Sequence, residues 1–199
     1  MTKPGGREGE PVRRIDGCVD ACALRADPSV TRARPAEDVD LTAVQWIYAH
    51  HVQMGTGSFE DVAPSLAEMA ARRADILTRG LPYLVVDHGG AVVGFAYAAL
   101  FRPRSAYRFT VEDSIYIHPA CLGLGLGRLL LAALVDACSA LGYRQMVAVI
   151  GDSANAASIG LHAGFSFGEA GRLKAAGYKF DRWLDVVFMQ LTLASSPPS

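Results

Sequence analysis

The chain has 199 residues, 51% of them hydrophobic and 20% charged, and its 19 basic and 20 acidic side chains leave a formal net charge of -1. That composition suits one well-cored domain with short tails, and it excludes the strongly basic character of a nucleic-acid-binding domain. No apolar run reaches membrane-spanning length, because Gly, Arg or Asp interrupts each candidate.

Residues 1–28 hold many Pro, Gly, Arg and Asp residues without hydrophobic periodicity and read as a mobile tail. The stretch Met1 to Asp16 lacks the apolar centre of a secretory signal, and Glu8, Glu10 and Asp16 are too acidic for a transit peptide, so a cytoplasmic protein is expected. The four cysteines, Cys18, Cys22, Cys121 and Cys138, lack zinc-site spacing and read as free thiols in a reducing compartment, with no metal expected. The domain is expected over 29–194, with a short C-terminal tail at 195–199.

Val30 to Arg34 alternates like a strand that Pro35 stops. Asp38 and Asp40 lead a helix through Leu41, Val44, Ile47, Tyr48 and His51, the acids suiting its positive end. Ser65 and Glu68 have capping-box spacing and open a second helix that runs to Gly80. Tyr83 to Val86, the turn Asp87-His88-Gly89-Gly90 and Val92 to Leu100 form a hairpin signal. Tyr107 to Ile117 reads as a further strand. A glycine-rich loop, Gly123-Leu124-Gly125-Leu126-Gly127-Arg128, then opens a helix that Gly142 closes. Met146 to Ile150 is apolar on both faces, as a buried strand is. A short helix near Asn155 to Ala163 precedes two strands, near Phe165 to Gly171 and Trp183 to Leu191. This order gives a mixed α/β sheet rather than a strict alternation.

Glycines between a strand and a helix let backbone N–H groups approach a phosphate, and the helix end adds about half a positive charge. A Walker A loop is ruled out, since Gly127 is followed by Arg128-Leu129 rather than Lys-Ser/Thr. A dinucleotide fold needs an acid at the next strand tip, where Asp152 stands loosely, but three strands precede the loop instead of a βαβ start. A plain glycine-rich connection stays open on this loop alone.

The stretch Thr110 to Pro119, the glycine loop, Val147 to Ser158 and Gly177 to Asp185, with Ile47 to Val52 and Gly80 to Val86 upstream, together resemble the phosphinothricin N-acetyltransferase family of the GNAT acetyltransferase superfamily. The resemblance covers about Val30 to Leu193. It implies a strongly twisted mixed sheet split at its centre, flanked by about four helices, with acetyl-CoA as co-substrate and no metal. It places Ile115, Tyr116 and Ile117 on the acetyl and pantetheine groups, Gly123, Leu124, Gly125, Leu126, Gly127 and Arg128 on the pyrophosphate, and Asn155 further along the cofactor. It implies a homodimer.

Two residues depart from the family pattern. Leu122 stands where the loop usually begins with Gln or Arg, and Ser166 stands where the family usually has Gly before Phe167.

The reaction implied is direct attack of an amine on the acetyl thioester. An ammonium has no lone pair until a base takes its proton, and Glu112 matches the family's carboxylate there. His162 matches a position from which a proton could reach the leaving thiolate. Arg102, Arg104, Tyr107, Phe59 and Ser114 fall at acceptor-binding positions, and the planar fork of Arg suits an acceptor with carboxylate and phosphinate groups. Cys121 lies near the loop but has no base beside it in the sequence. The acceptor expected is phosphinothricin or a related small amino acid such as methionine sulfoximine or sulfone. The alternatives are a protein or peptide N-acetyltransferase and a non-catalytic acyl-CoA sensor.

Overall fold

The computed structural model describes residues 30–193; the tails expected at 1–28 and 195–199, and with them Cys18 and Cys22, lie outside the described residues. Among the described residues, seven strands and four α-helices follow one another in the expected order: β1 (Thr31–Pro35), α1 (Leu41–Met54), α2 (Leu66–Thr78), β2 (Tyr83–His88), β3 (Ala91–Leu100), β4 (Thr110–Ile117), α3 (Leu126–Ala140), β5 (Gln145–Gly151), α4 (Ala156–Ala163), β6 (Gly168–Lys179) and β7 (Arg182–Thr192). The strands form one sheet in the order β1-β2-β3-β4-β5-β7-β6.

Only β4 and β5 run parallel, and they pair only from Thr110↔Gln145 to Asp113↔Ala148. Beyond Asp113 the two strands part, so Ser114 to Ile117 keep β3 on one side and leave β5 on the other. This is the central split that the resemblance implied.

Helices α1 and α2 cover one face of the sheet and α3 and α4 the other. Tyr48 of α1 meets Phe95 and Tyr116 edge-on, whereas a Cβ on Gly94 would touch Leu130 of α3. Side chains alternate along a strand, so Glu112, Ser114 and Tyr116 face α1 while Val111 and Asp113 face α3 and α4. The core fills both sides: Val44, Ile47 and Val52 on one, Leu130, Leu131 and Leu134 on the other, all fully buried. At the edge, Arg34 donates to Asp40 (2.7 and 2.8 Å) and to Asp87 (3.1 Å), tying β1 to the start of α1 and to β2.

The local signals act as their chemistry requires. The Ser65 hydroxyl accepts from the Glu68 N–H at 3.2 Å and starts α2. Asp38–Asp40 is a 3-10 turn leading into α1. Two strand limits differ from the sequence reading. Ser105–Tyr107 is a 3-10 turn, so β4 begins at Thr110. β6 runs on to Lys179, past a register shift between Leu173 and Gly177 where Ala175 takes a φ of 50°. The following turn puts Phe180 and Asp181 at φ 52° and 56°, a left-handed pair that sequence rules reserve for Asn-Gly or Gly-Gly.

Ser166 has a φ of 66°, which accounts for glycine being the family's usual residue there. A side chain in that region costs about 1 kcal/mol. Ser166→Gly is therefore expected to raise the melting midpoint by roughly 2 °C; an unchanged or lower midpoint would show the position to be unstrained.

Candidate active site

The glycine loop takes the shape an anion site needs. Gly123 and Gly125 have φ of 75° and 79°, a region closed to most residues with a Cβ. Gly125 is the N-cap of α3 and no side chain caps that end. Arg128 and Leu129 N–H groups bond back to the Gly125 carbonyl (3.0 and 3.2 Å), leaving the first N–H groups of the helix pointing outward. A Cβ on Gly127 would stand 3.2 Å from Leu161, so glycine lets α3 lie close to α4. Arg128 lays its guanidinium over the Phe165 ring, 5.1 Å from its centre. Leu122 is well exposed and its side chain supplies no donor. Asn155 caps α4, its side-chain oxygen accepting from the Ser158 N–H at 3.1 Å.

The split adds the second part of a cofactor groove. Ile115, Tyr116 and Ile117 border it on the β4 side. The Ile117 carbonyl accepts from His51 Nε2 at 2.8 Å; burial holds that imidazole below its ordinary pKa, which suits a neutral donor. Parted parallel strands, outward N–H groups and a cap-free helix end fit a ligand with an amide-bearing arm and a pyrophosphate, as CoA has.

Glu112 lies at the root of the split, opposite Ala99 and beside Val147. Burial pushes its carboxyl above the ordinary range, Arg102 pulls it down and the neighbouring Asp113 adds to the rise. Arg102 donates to the Phe101 carbonyl at 3.0 Å and covers that ring. Tyr107 packs edge-on against the same ring, and Arg104, just before the 3-10 turn, is exposed. Arg102, Arg104 and Tyr107 thus gather on one loop, within electrostatic reach of Glu112 through Arg102. Ser114 is half-buried, one pleat along from Glu112.

Phe59 lies on the segment between α1 and α2. Its ring sits against Gly151 and Gly177, where a Cβ would come within 2.7 and 2.1 Å of ring atoms. It therefore packs against β5 and β6. Lys179 holds the segment before it, donating Nζ–H bonds to the carbonyls of Val52 (2.7 Å), Gly55 (3.1 Å) and Ser58 (2.7 Å).

His162 is 3% exposed. Its Nδ1 lies 2.7 Å from the Ser158 carbonyl, which can only accept, and its Nε2 lies 3.0 Å from Asp113 Oδ2. Burial opposes the charged ring, but the hydrogen bond and charge of Asp113 prevail and its pKa is raised. Sequence reasoning missed Asp113, which is apolar in neither chemistry nor spacing yet points inward. Cys121 is buried, 3.9 Å from His118 Nδ1, and burial pushes its thiol up to about 11. That is a poor nucleophile at neutral pH. Asp152 receives Arg182 (2.6 Å) and the Ala154 N–H (3.0 Å), so it braces the β5–α4 turn.

A cavity of about 470 Å³ opens on the Glu112 face, between α2 and the sheet, lined by Tyr48, Met69, Arg72, Tyr83 and Tyr97 among others. Neither it nor Arg72 was singled out in the sequence, where α2 carries no chemical motif.

Residues 47–167 match the model of the "Acetyltransferase (GNAT) family". A phosphinothricin N-acetyltransferase of Alcaligenes faecalis is 54% identical over 80% of this chain and 81% of its own length. An L-methionine sulfoximine/L-methionine sulfone acetyltransferase of Salmonella typhimurium is 39% identical over 80% of this chain and 93% of its own. The crystal structure of a GNAT superfamily phosphinothricin acetyltransferase from Sinorhizobium meliloti in complex with acetyl-CoA superposes with a TM-score of 0.81 at 46% identity, covering 85% of this chain and 94% of that one. With its split sheet, its glycine cradle and these relatives, the chain belongs to the phosphinothricin N-acetyltransferase family of the GNAT superfamily and is an acetyl-CoA-dependent N-acetyltransferase.

Proposed function

We propose that this enzyme acetylates the α-amino group of phosphinothricin or a related small amino acid, such as methionine sulfoximine or sulfone, by direct attack with Glu112 as general base. The observation that carries the reading is the half-buried Glu112 carboxylate at the root of the split, raised in pKa by burial and facing the arginine loop. The names of the relatives support the acceptor class.

Bound acetyl-CoA supplies an acetyl thioester activated for attack. Backbone donors of Gly123, Leu124, Gly125, Leu126, Gly127 and Arg128 hold the pyrophosphate, Ile115, Tyr116 and Ile117 line the pantetheine path, and Asn155 contacts the cofactor further along. Glu112 removes a proton from the acceptor ammonium, directly or through water, and frees its lone pair. Arg102 and Arg104, with Tyr107, hold the acceptor's carboxylate and phosphinate oxygens. Ser114 and Phe59 bound the site on either side. His162, sealed between Ser158 and Asp113, acts by positioning: a proton leaving its ring must first break one of those bonds. The working unit is a cytoplasmic homodimer.

Acetyl transfer to a panel of free amino acids, an N-terminal peptide and a lysine peptide, followed by CoA thiol release, tests the reading. Turnover is expected with the free amino acids; turnover with peptides alone, or with nothing, overturns it. Arg104→Ala is expected to raise the KM for phosphinothricin at least tenfold more than that for acetyl-CoA. Equal effects on both would remove Arg104 from the acceptor site.

A further inference from the structure

Between α1 and α2, residues 55–65 form neither helix nor strand, so side chains must fix where that segment lies. Lys179, at the end of β6, is only 6% exposed. An ammonium has three N–H groups and accepts nothing. Here they serve three backbone carbonyls: those of Val52 and Gly55 at the C-terminal end of α1, and that of Ser58 beyond it. A helix end of this kind carries about half a negative charge, which suits a buried cation. The Phe180 ring covers the same ammonium, its centre 5.1 Å from Nζ.

Phe59 follows directly on Ser58. Gly177 and Lys179 stand two residues apart on β6 and so share one face of the strand. A Cβ on Gly177 would come within 2.1 Å of the Phe59 ring, which puts ring and lysine on that same face. Packing covers only part of the ring, which is 40% exposed; the backbone that carries it is held by the lysine, one residue before. The Ser58 hydroxyl adds a second tie, pairing with the Tyr48 hydroxyl at 3.1 Å and accepting from the Glu60 N–H at 3.3 Å. Tyr48 is fixed in its turn by edge-on contacts with Phe95 and Tyr116, so α1 and the later half of β4 keep their packing without the lysine.

We propose that Lys179 is a positioning residue for the acceptor: its ammonium gathers three carbonyls of the Val52–Ser58 stretch and thereby sets where the Phe59 ring stands. The inference rests on the reading of Phe59 as a wall of the acceptor site.

The Michaelis constants for phosphinothricin and acetyl-CoA in the native enzyme, Lys179→Met, Phe59→Ala and the double variant test it. Lys179→Met is expected to raise the phosphinothricin KM at least fivefold, with kcat and the acetyl-CoA KM within twofold of native. The phosphinothricin KM of the double variant is expected within twofold of that of Phe59→Ala alone, because residues acting through one ring are not additive. A lysine that only stabilises the fold would move both Michaelis constants together or multiply the Phe59→Ala effect. Either result, or an unmoved phosphinothricin KM in Lys179→Met while Phe59→Ala raises it, overturns the role of Lys179 and leaves Phe59 in the site. An unmoved constant in Phe59→Ala removes Phe59 from the site, and the inference falls with it. If Lys179→Met does not melt cooperatively, Lys179→Arg takes its place. It keeps the charge, but a planar fork cannot meet three converging carbonyls as an ammonium does, and the same split of at least threefold is expected.

Discussion

Glu112→Gln is expected to lower kcat by about 10²- to 10⁴-fold, the usual worth of a general base, while the dissociation constant for acetyl-CoA stays within twofold. Gln keeps the shape of Glu and loses its basicity. The proposed cofactor groove runs from Gly123 to Arg128 and along the later half of β4, so the substitution leaves it standing. The pH profile carries a second signature. A base works only when deprotonated, so kcat/KM falls as pH drops through the Glu112 pKa. Burial, the largest influence, sets that pKa above the ordinary carboxylate range, and the acid limb is expected above the pH at which an exposed Glu titrates. In Glu112→Gln this limb disappears. Stopped-assay turnover from pH 5 to 9 and calorimetric titration of acetyl-CoA check both. Turnover within threefold of the native enzyme at neutral pH sinks the assignment.

The second large effect is on stability. Asp113 and His162 form a buried pair joining β4 to α4 across 49 residues of sequence. Removing one partner of such a pair leaves the other uncompensated and costs about 3–5 kcal/mol. Asp113→Ala is expected to lower the melting midpoint by roughly 10 °C. Asp113→Asn keeps a hydrogen-bonding side chain and costs less. The pH dependence has a definite sign. The His162 pKa is raised on folding, so its contribution is complete below the unfolded value of about 6.5 and is lost as pH rises through the folded value. The stability gap between native protein and Asp113→Asn is therefore expected to be wider at pH 6 than at pH 9, read from denaturant unfolding. A gap that widens with pH would show that His162 is neutral in the folded protein. The unpartnered Oδ1 of Asp113 lies in the same region as Cys138. Burial first, and then the Asp113 charge, push that thiol up to about 12.

The elements most legible in the sequence were those whose cause is local. The apolar run of β5, the capping Ser65, the hairpin glycines and the cradle glycines each carry their own instruction, and each acts where the sequence placed it. The extension of β6 was hidden because its bulge falls at Ala175 and its turn uses Phe180-Asp181, residues without the usual left-handed preference. The family resemblance pointed to Glu112, the arginine loop and Phe59, but the contact of Phe59 with Gly151 and Gly177 shows only in three dimensions. Asp113 was passed over because its partner is distant in sequence. Arg72 and its cavity stayed invisible for the same reason: a helix surface gives no sign of the tyrosines it will face.

The short pairing of β4 with β5 has a consequence for the free enzyme. A sheet normally keeps its unpaired backbone at its two outer borders, where proteins guard it against stray strands. Here four paired residues are followed by a gap, so an additional border runs inside the molecule. Whatever bridges that seam binds the folded chain alone. At a cofactor concentration one hundred times its dissociation constant, the folded state gains about 2.7 kcal/mol by mass action. With the proposed groove, the enzyme's resistance to unfolding is expected to track the supply of acetyl-CoA, the same molecule its chemistry consumes.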